Sequence, residues 1–161
     1  MRASNRLFSV RPAASGDLPR LCEFAAELLI KTQSKGTGKD ALKAFQHVFR
    51  HPDSGIIVVA QHKGGMCAYA YAAYEWRAEF SGESMDIVEL FVEHAWRNKG
   101  VGASLIATLL DTAKQRGIRH INAQVHPGNA AIERILETAG FDPEQRTVWG
   151  RQLSFKDSPQ R

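Results

Sequence analysis

The chain has 161 residues, 43% hydrophobic and 24% charged, the make-up of one ordinary globular domain long enough for a proper core. Its longest apolar runs are strand-sized, which excludes a membrane-spanning helix. Its formal charge of +4 comes without a basic run interleaved with aromatics, so composition does not favour nucleic acid and is satisfied by a phosphorylated small molecule. The N-terminal MRASNRLFSVRP is basic but lacks an apolar run of signal-peptide length, and Cys22 and Cys67 lie far apart with no metal or redox spacing. Buried free thiols in a reducing, cytoplasmic setting are the expectation.

In chain order, Leu7 to Pro12 is expected as an opening strand, and SGDLPRL marks a helix start, with Ser15 or Asp17 able to cap and Pro19 tolerated in the first turn. Leu18, Leu21, Ala25, Leu28 and Leu29 then recur at helical spacing. After a polar loop, Thr37 with Asp40 forms a capping-box pattern that opens a second helix, which stops near Pro52. Two strands follow, joined at Lys63-Gly64-Gly65, a hairpin signal. A loop with Gly82 leads to a strand whose centre, Ile87 to Val92, is apolar on both faces apart from Glu89 and so reads as central. A helix from Val101 to Arg116 ends at the C-cap Gly117, and RHINAQV is the next strand. The helix in GNAAIERILETAGF comes next, then a closing strand in TVWGRQLSF, Thr147 to Phe155. The expected fold is a single α/β domain, 1–155, with a loose tail over 156–161 and the order β-α-α-β-β-β-α-β-α-β: a mixed central sheet with helices on both faces. The unit from Ile87 to Val125 should place two parallel strands side by side, with its loop at a strand's C-terminal end, where open α/β sheets bind ligands.

That loop carries the most chemistry. In LFVEHAWRNKGVGASLI, Arg97, Lys99, Gly100 and Gly102 precede and open a helix. Glycine lets the backbone turn and lets an anion approach, helix-start N–H groups donate to it, and the basic side chains add charge. The Gly-Lys-Ser/Thr ending of a Walker loop and the third glycine of a dinucleotide fingerprint are both absent.

The stretch closely resembles the signature of the GNAT superfamily of acyl-CoA-dependent N-acetyltransferases, an apolar strand ending in valine followed by Arg/Gln-x-x-Gly-x-Gly/Ala: Arg97, Gly100 and Gly102 match it. NAAIERILETAGF resembles the second signature of that family through Asn129, Gly140 and Phe141, and SVRPAASGDLPRL resembles its first strand and helix. The resemblance implies the GNAT fold and acetyl-CoA as cosubstrate, with no metal. It further implies that the N–H groups of Asn98, Lys99, Gly100, Val101, Gly102 and Ala103 hold the CoA diphosphate. The backbone of Phe91 and Val92 would pair with the pantetheine arm, and Asn129 would contact the arm or fix the loop beside it. The family's strand here usually splays from the next, opening a slot for the thioester, and its members often form homodimers.

The match fails at one point. Many members carry a tyrosine seven residues after the asparagine, where this chain has Leu136; Ile132 likewise replaces a frequent alanine. A thiol has a pKa of about 8.5, so its thiolate leaves tolerably near neutrality, with water or a hydroxyl such as Tyr74 to serve it. For the base, Glu89 is the best candidate, accepting a proton after attack or through water, against the alternative that it simply pairs or faces solvent. A backbone N–H near Val92 is expected to stabilise the oxyanion. His126 lies near the expected slot but reads as solvated, and His94 and His120 show no metal spacing. Tyr69, Tyr71, Tyr74 and Trp76 read as sheet packing, with Tyr74 and Trp76 able to wall the acceptor site. Glu75, Glu79, Glu83 and Asp86 make an acidic loop that either is solvated or attracts a cationic amine. The expected activity is transfer of an acetyl group from acetyl-CoA to a primary amine. The rivals are a non-catalytic acyl-CoA sensor, favoured by Leu136, and an acetyltransferase acting on aminoacyl-tRNA. The acceptor should depend on Ile30 to Asp40 and on Arg77 to Ser84.

Overall fold

A computed structural model describes residues 7–151 and 153. Five strands, β1 (Ser9–Pro12), β2 (Gly55–His62), β3 (Gly65–Arg77), β4 (Gly82–Val92) and β5 (His120–Ala123), form one sheet in that order, antiparallel except for the parallel pair β4–β5. Helices α1 (Leu18–Lys31) and α2 (Gly38–Arg50) follow β1, α3 (Val101–Arg116) links β4 to β5, and α4 (Ala130–Thr138) follows β5.

Side-chain size along β3 explains how the layers assemble. Tyr69 and Tyr71 face α1 and α2, in a cluster with Leu21, Phe24, Phe45, Ile57 and Phe91. Ala68, Ala70 and Ala72 face the other way, and their small size lets α3 lie close, with Leu105, Ile106 and Leu109 buried against them. Helices therefore cover both faces, as expected.

Local signals act as read. Thr37 and Asp40 form the reciprocal box, with Thr37 N–H donating to Asp40 Oδ2 at 2.9 Å and Asp40 N–H to Thr37 Oγ1 at 3.4 Å. Thr37→Ala should lower the melting temperature by about 2–4 °C in a thermal scan. Gly117 ends α3 with φ 77°, in the left-handed region that suits glycine. Asp17 does not cap α1 with its side chain. It accepts from Arg11 at 2.7 and 2.9 Å and from Ala14 N–H at 2.8 Å, and these bonds, led by Arg11, hold its carboxyl below the usual range. A carboxyl lowered in the folded state stabilises above the ordinary carboxylate range, a contribution lost as pH falls through the lowered value.

Two expectations are corrected. The segment Arg77 to Ser84 is not an open loop: the β3–β4 ladder runs out to Trp76↔Glu83 and Arg77↔Gly82, closed by a single 3-10 turn at Ala78–Phe80. The closing strand of Thr147 to Phe155 is not formed over its described part, 147–151 and 153, which has no regular secondary structure. Arg146, drawn to Glu79 at 2.9 Å and Glu144 at 3.0 Å, holds the chain beside that turn, and Trp149 is 91% exposed. The expected tail, 156–161, lies outside the described residues.

Candidate active site

The site begins with a mismatch in strand length. β5 pairs with β4 only from Ser84↔His120 to Ile87↔Ala123, while β4 runs on to Val92. A bulge sits where the pairing ends: Ala72 opposes Ile87 and Tyr71 opposes Glu89, leaving Val88 unopposed and 51% exposed. The extra residue resets the alternation. Met85 and Ile87, then Leu90 and Val92, face α3 and α4, whereas Glu89 and Phe91 turn toward α1 and α2. The gap beyond Ile87 is a cleft lined by Val88, Glu89, Leu90, Val125, Ile132 and Leu136. Glu93 N–H donates to Cys67 O on β3, so the polar main-chain groups of Val92 point away from β3, to the gap side.

The loop after β4 delivers donors to the mouth of this gap. Asn98 (φ 59°) and Gly100 (φ 79°) both take left-handed conformations, turning the chain into α3. None of the N–H groups from Asn98 to Ala103 has an acceptor among the described residues; the first bond of the helix is Ser104 N–H to Gly100 O, at 3.0 Å. Donors converging at the positive end of a helix dipole suit a diphosphate. Lys99 Nζ stands 5.0 Å from the centre of the Trp96 ring, and Trp96 in turn packs on His62 at 4.3 Å. Arg97 reaches back, its Nε donating to Val92 O at 3.0 Å, and so ties the loop to the strand end. Asn129 caps α4, accepting from Ile132 N–H at 3.4 Å. The N–H groups of Asn98 to Ala103 thus stand together, with basic side chains beside them, where α3 begins.

Gly102 has a different reason from the one its motif suggests. It is buried, and a Cβ there would lie 3.0 Å from Ile135 Cδ1 and 3.7 Å from Val92 Cγ2, so α4 needs it small to dock on α3. Gly102→Ala should stabilise by less than the roughly 1 kcal/mol that alanine gains over glycine in a helix, because Ile135 Cδ1 must give way, and in an Ile135→Val background, which lacks that atom, the same change should stabilise more. Thermal melts of the two single variants and the double variant check this.

On the opposite face, Tyr69 donates its hydroxyl to Glu89 Oε2 at 2.8 Å. Burial pushes the Glu89 carboxyl above the usual range, and the bond from Tyr69 offsets part of that rise. Burial, then the Glu89 charge, pushes the Tyr69 hydroxyl far up as well. Sequence reasoning placed Tyr69 in sheet packing. The signal that could have found it is its shared parity with Tyr71, which opposes Glu89.

The structure does not bring Tyr74 to this place. It pairs with Met85, four residues back along β4 from Glu89, and packs under Arg116, whose Cζ is 4.2 Å from the ring centre. Arg116 is the last residue of α3, roughly 22 Å along the helix from its start at about 1.5 Å per residue. Trp76 is 78% exposed, opposite Glu83. Leu136 is a core residue, 7% exposed, lining the cleft without a hydroxyl. The acidic stretch is neutralised: Arg77 holds Glu75 and Asp86, Arg116 holds Glu83, and Arg146 holds Glu79. Its reading as a lure for amines is therefore corrected. His126 is exposed and lines a larger cavity of about 910 Å³ on the outer side of β5. Among the described residues no group of three or more His, Cys, Asp or Glu side chains could hold a metal, and no helix is long and apolar enough to cross a membrane.

This architecture has close counterparts. An integron cassette protein from the mobile metagenome of Cole Harbour Salt Marsh is 23% identical, with a TM-score of 0.79 over 90% of each chain. The structure of AAC(6')-Iy in complex with the bisubstrate analog CoA-S-monomethyl-acetylneamine is 17% identical, with a TM-score of 0.77 over 91% of this chain and 99% of that one. A predicted acetyltransferase with acetyl-CoA from Clostridium acetobutylicum is 17% identical, with a TM-score of 0.75 over 89% and 96%. No curated protein matches the sequence. The family model for the acetyltransferase (GNAT) family matches residues 22–141, and the chain belongs to that family.

Proposed function

We propose that the protein moves an acetyl group from acetyl-CoA to a primary amine by direct attack. The observation that carries this reading is the run of amide N–H groups, Asn98 to Ala103, that have no acceptor among the described residues, beside the gap between β4 and β5. When bound, acetyl-CoA supplies the activated acetyl thioester. Asn98, Lys99, Gly100, Val101, Gly102 and Ala103 hold its diphosphate through main-chain N–H groups, and Arg97 and Lys99 add charge. The main chain of Val92 aligns the arm along β4, the polar groups of Phe91 facing Tyr69 on β3 instead, with Asn129 fixing the opposite wall, so that much of the rate gain is proximity. Glu89 takes the proton from the nitrogen once attack has made that nitrogen acidic, directly or through water. Its raised proton affinity favours the step. No hydroxyl lines the cleft at Leu136, so water protonates the departing thiolate.

The test is release of free thiol from acetyl-CoA against an amine panel: an aminoglycoside, a polyamine, an amino acid and a peptide with a free α-amine. Turnover with any of them supports the reading. Tight acetyl-CoA binding with no turnover on any acceptor would favour the second reading, a non-catalytic acyl-CoA sensor, for which Leu136 is the specific observation. A salt-dependent mobility shift of tRNA would instead support an acetyltransferase of aminoacyl-tRNA.

A further inference from the structure

We propose that Tyr69 is a positioning residue, its hydroxyl holding Oε2 of Glu89 so that Oε1 is the oxygen offered to the acceptor amine. This rests on the reading of Glu89 as proton acceptor. The geometry is that of a fixed strut. The Tyr69 side chain is wholly buried. Its ring is parallel to Phe24 within 5° at 6.5 Å, meets Phe45 edge-on at 5.8 Å and lies 6.2 Å from Phe91. Tyr69 opposes Phe91, and Tyr71 opposes Glu89, so the hydroxyl crosses the ladder diagonally to reach the carboxylate. A buried hydroxyl needs a partner, and among the described residues this one has Glu89 alone, at 2.8 Å, while Glu89 Oε1 accepts no hydrogen bond. The rings of Phe24, Phe45 and Phe91 around it are apolar, so the cluster's rigidity is transmitted to one carboxylate oxygen.

Several other groups bear on Glu89. From β3, Tyr71 is the second hydroxyl. From α1, Cys22 acts on the Tyr69 hydroxyl, and Lys31, paired with Glu27 at 2.6 Å, sets its Nζ 5.2 Å from the Phe91 ring. From α2 comes the uncharged ring of Phe45, edge-on to Tyr71.

Tyr69→Phe keeps the ring and removes the donor. The bond favours the ionised carboxylate, so its loss should move the acidic limb of kcat/KM to higher pH by about one unit. It should also lower plateau kcat several-fold, with KM for acetyl-CoA unchanged. A purely structural bond would change the melting temperature and leave the limb in place, and that result overturns the proposal. A second measurement needs no variant of Tyr69. In the native protein labelled with 13C at tyrosine Cζ, one resonance should titrate with the acidic limb, and that titration should vanish in Glu89→Gln. Absence of such a resonance also overturns the proposal. If Glu89→Gln turns over like the native enzyme, the reading of Glu89 falls, and this positioning role with it. If Glu89→Gln is impaired while Tyr69→Phe keeps the native limb, only the positioning role falls.

Discussion

Glu89→Gln is expected to lower kcat by about 10²–10⁴ and to leave acetyl-CoA affinity within a few-fold of native. The carboxylate is held by Tyr69 within β4, whereas the donors for the diphosphate lie past the end of that strand, where α3 begins, so the two functions separate. The pH dependence follows from the sign of the shift. The Glu89 carboxyl titrates above its ordinary range because burial disfavours its charge. Activity that needs the ionised form should therefore fall on acidification sooner than an exposed glutamate would dictate. Stability runs the other way: a carboxyl raised in the folded state contributes fully below its unfolded pKa, and that contribution is lost as pH rises through the folded value. At neutral pH the Gln variant should melt no lower than native. An inactive protein that is at least as stable, by thiol release and calorimetry, is the expected result; full activity would remove Glu89 from the reaction.

Gly100→Val should weaken CoA binding by more than tenfold. Gly100 holds φ 79°, and a side chain in that region costs about 1–2 kcal/mol, more when it is β-branched. A Cβ there meets nothing within 4 Å, so the obstacle is the backbone angle alone. Relief of the strain means turning the peptide planes between Asn98 and Gly102, and that scatters donors which act only while they converge. Titration calorimetry with CoA, alongside circular dichroism to verify folding, checks the outcome. Native affinity in a folded Gly100→Val protein would mean that the diphosphate sits elsewhere.

What the sequence makes legible here is what local chemistry decides. Thr37 and Asp40 satisfy each other across one turn, and Gly117 sits where only a left-handed residue closes α3. The two motifs mark the starts of α3 and α4, where Gly100 and Asn129 are the N-caps. What stayed hidden depends on registration between distant strands. The bulge at Val88 exists because β3 and β4 disagree by one residue, and no pattern within DIVELFV announces it. The bond from Tyr69 to Glu89 spans twenty positions and needs that bulge to choose its face. TVWGRQLSF has strand composition, yet over 147–151 and 153 no strand forms, and the ion pairs that hold Arg146 beside Glu79 are tertiary. Gly102 was read for its motif, although Ile135 demands it.

Because Val88, Glu89 and Leu90 border one cleft where β5 stops short, both reactants can be held along the same stretch of β4. Neither needs to leave before the other arrives. Steady-state rates measured at several fixed amine concentrations should give double-reciprocal lines that intersect. Desulfo-CoA should remain bound beside an amine, forming a dead-end ternary complex; parallel lines would instead point to an acetyl-enzyme.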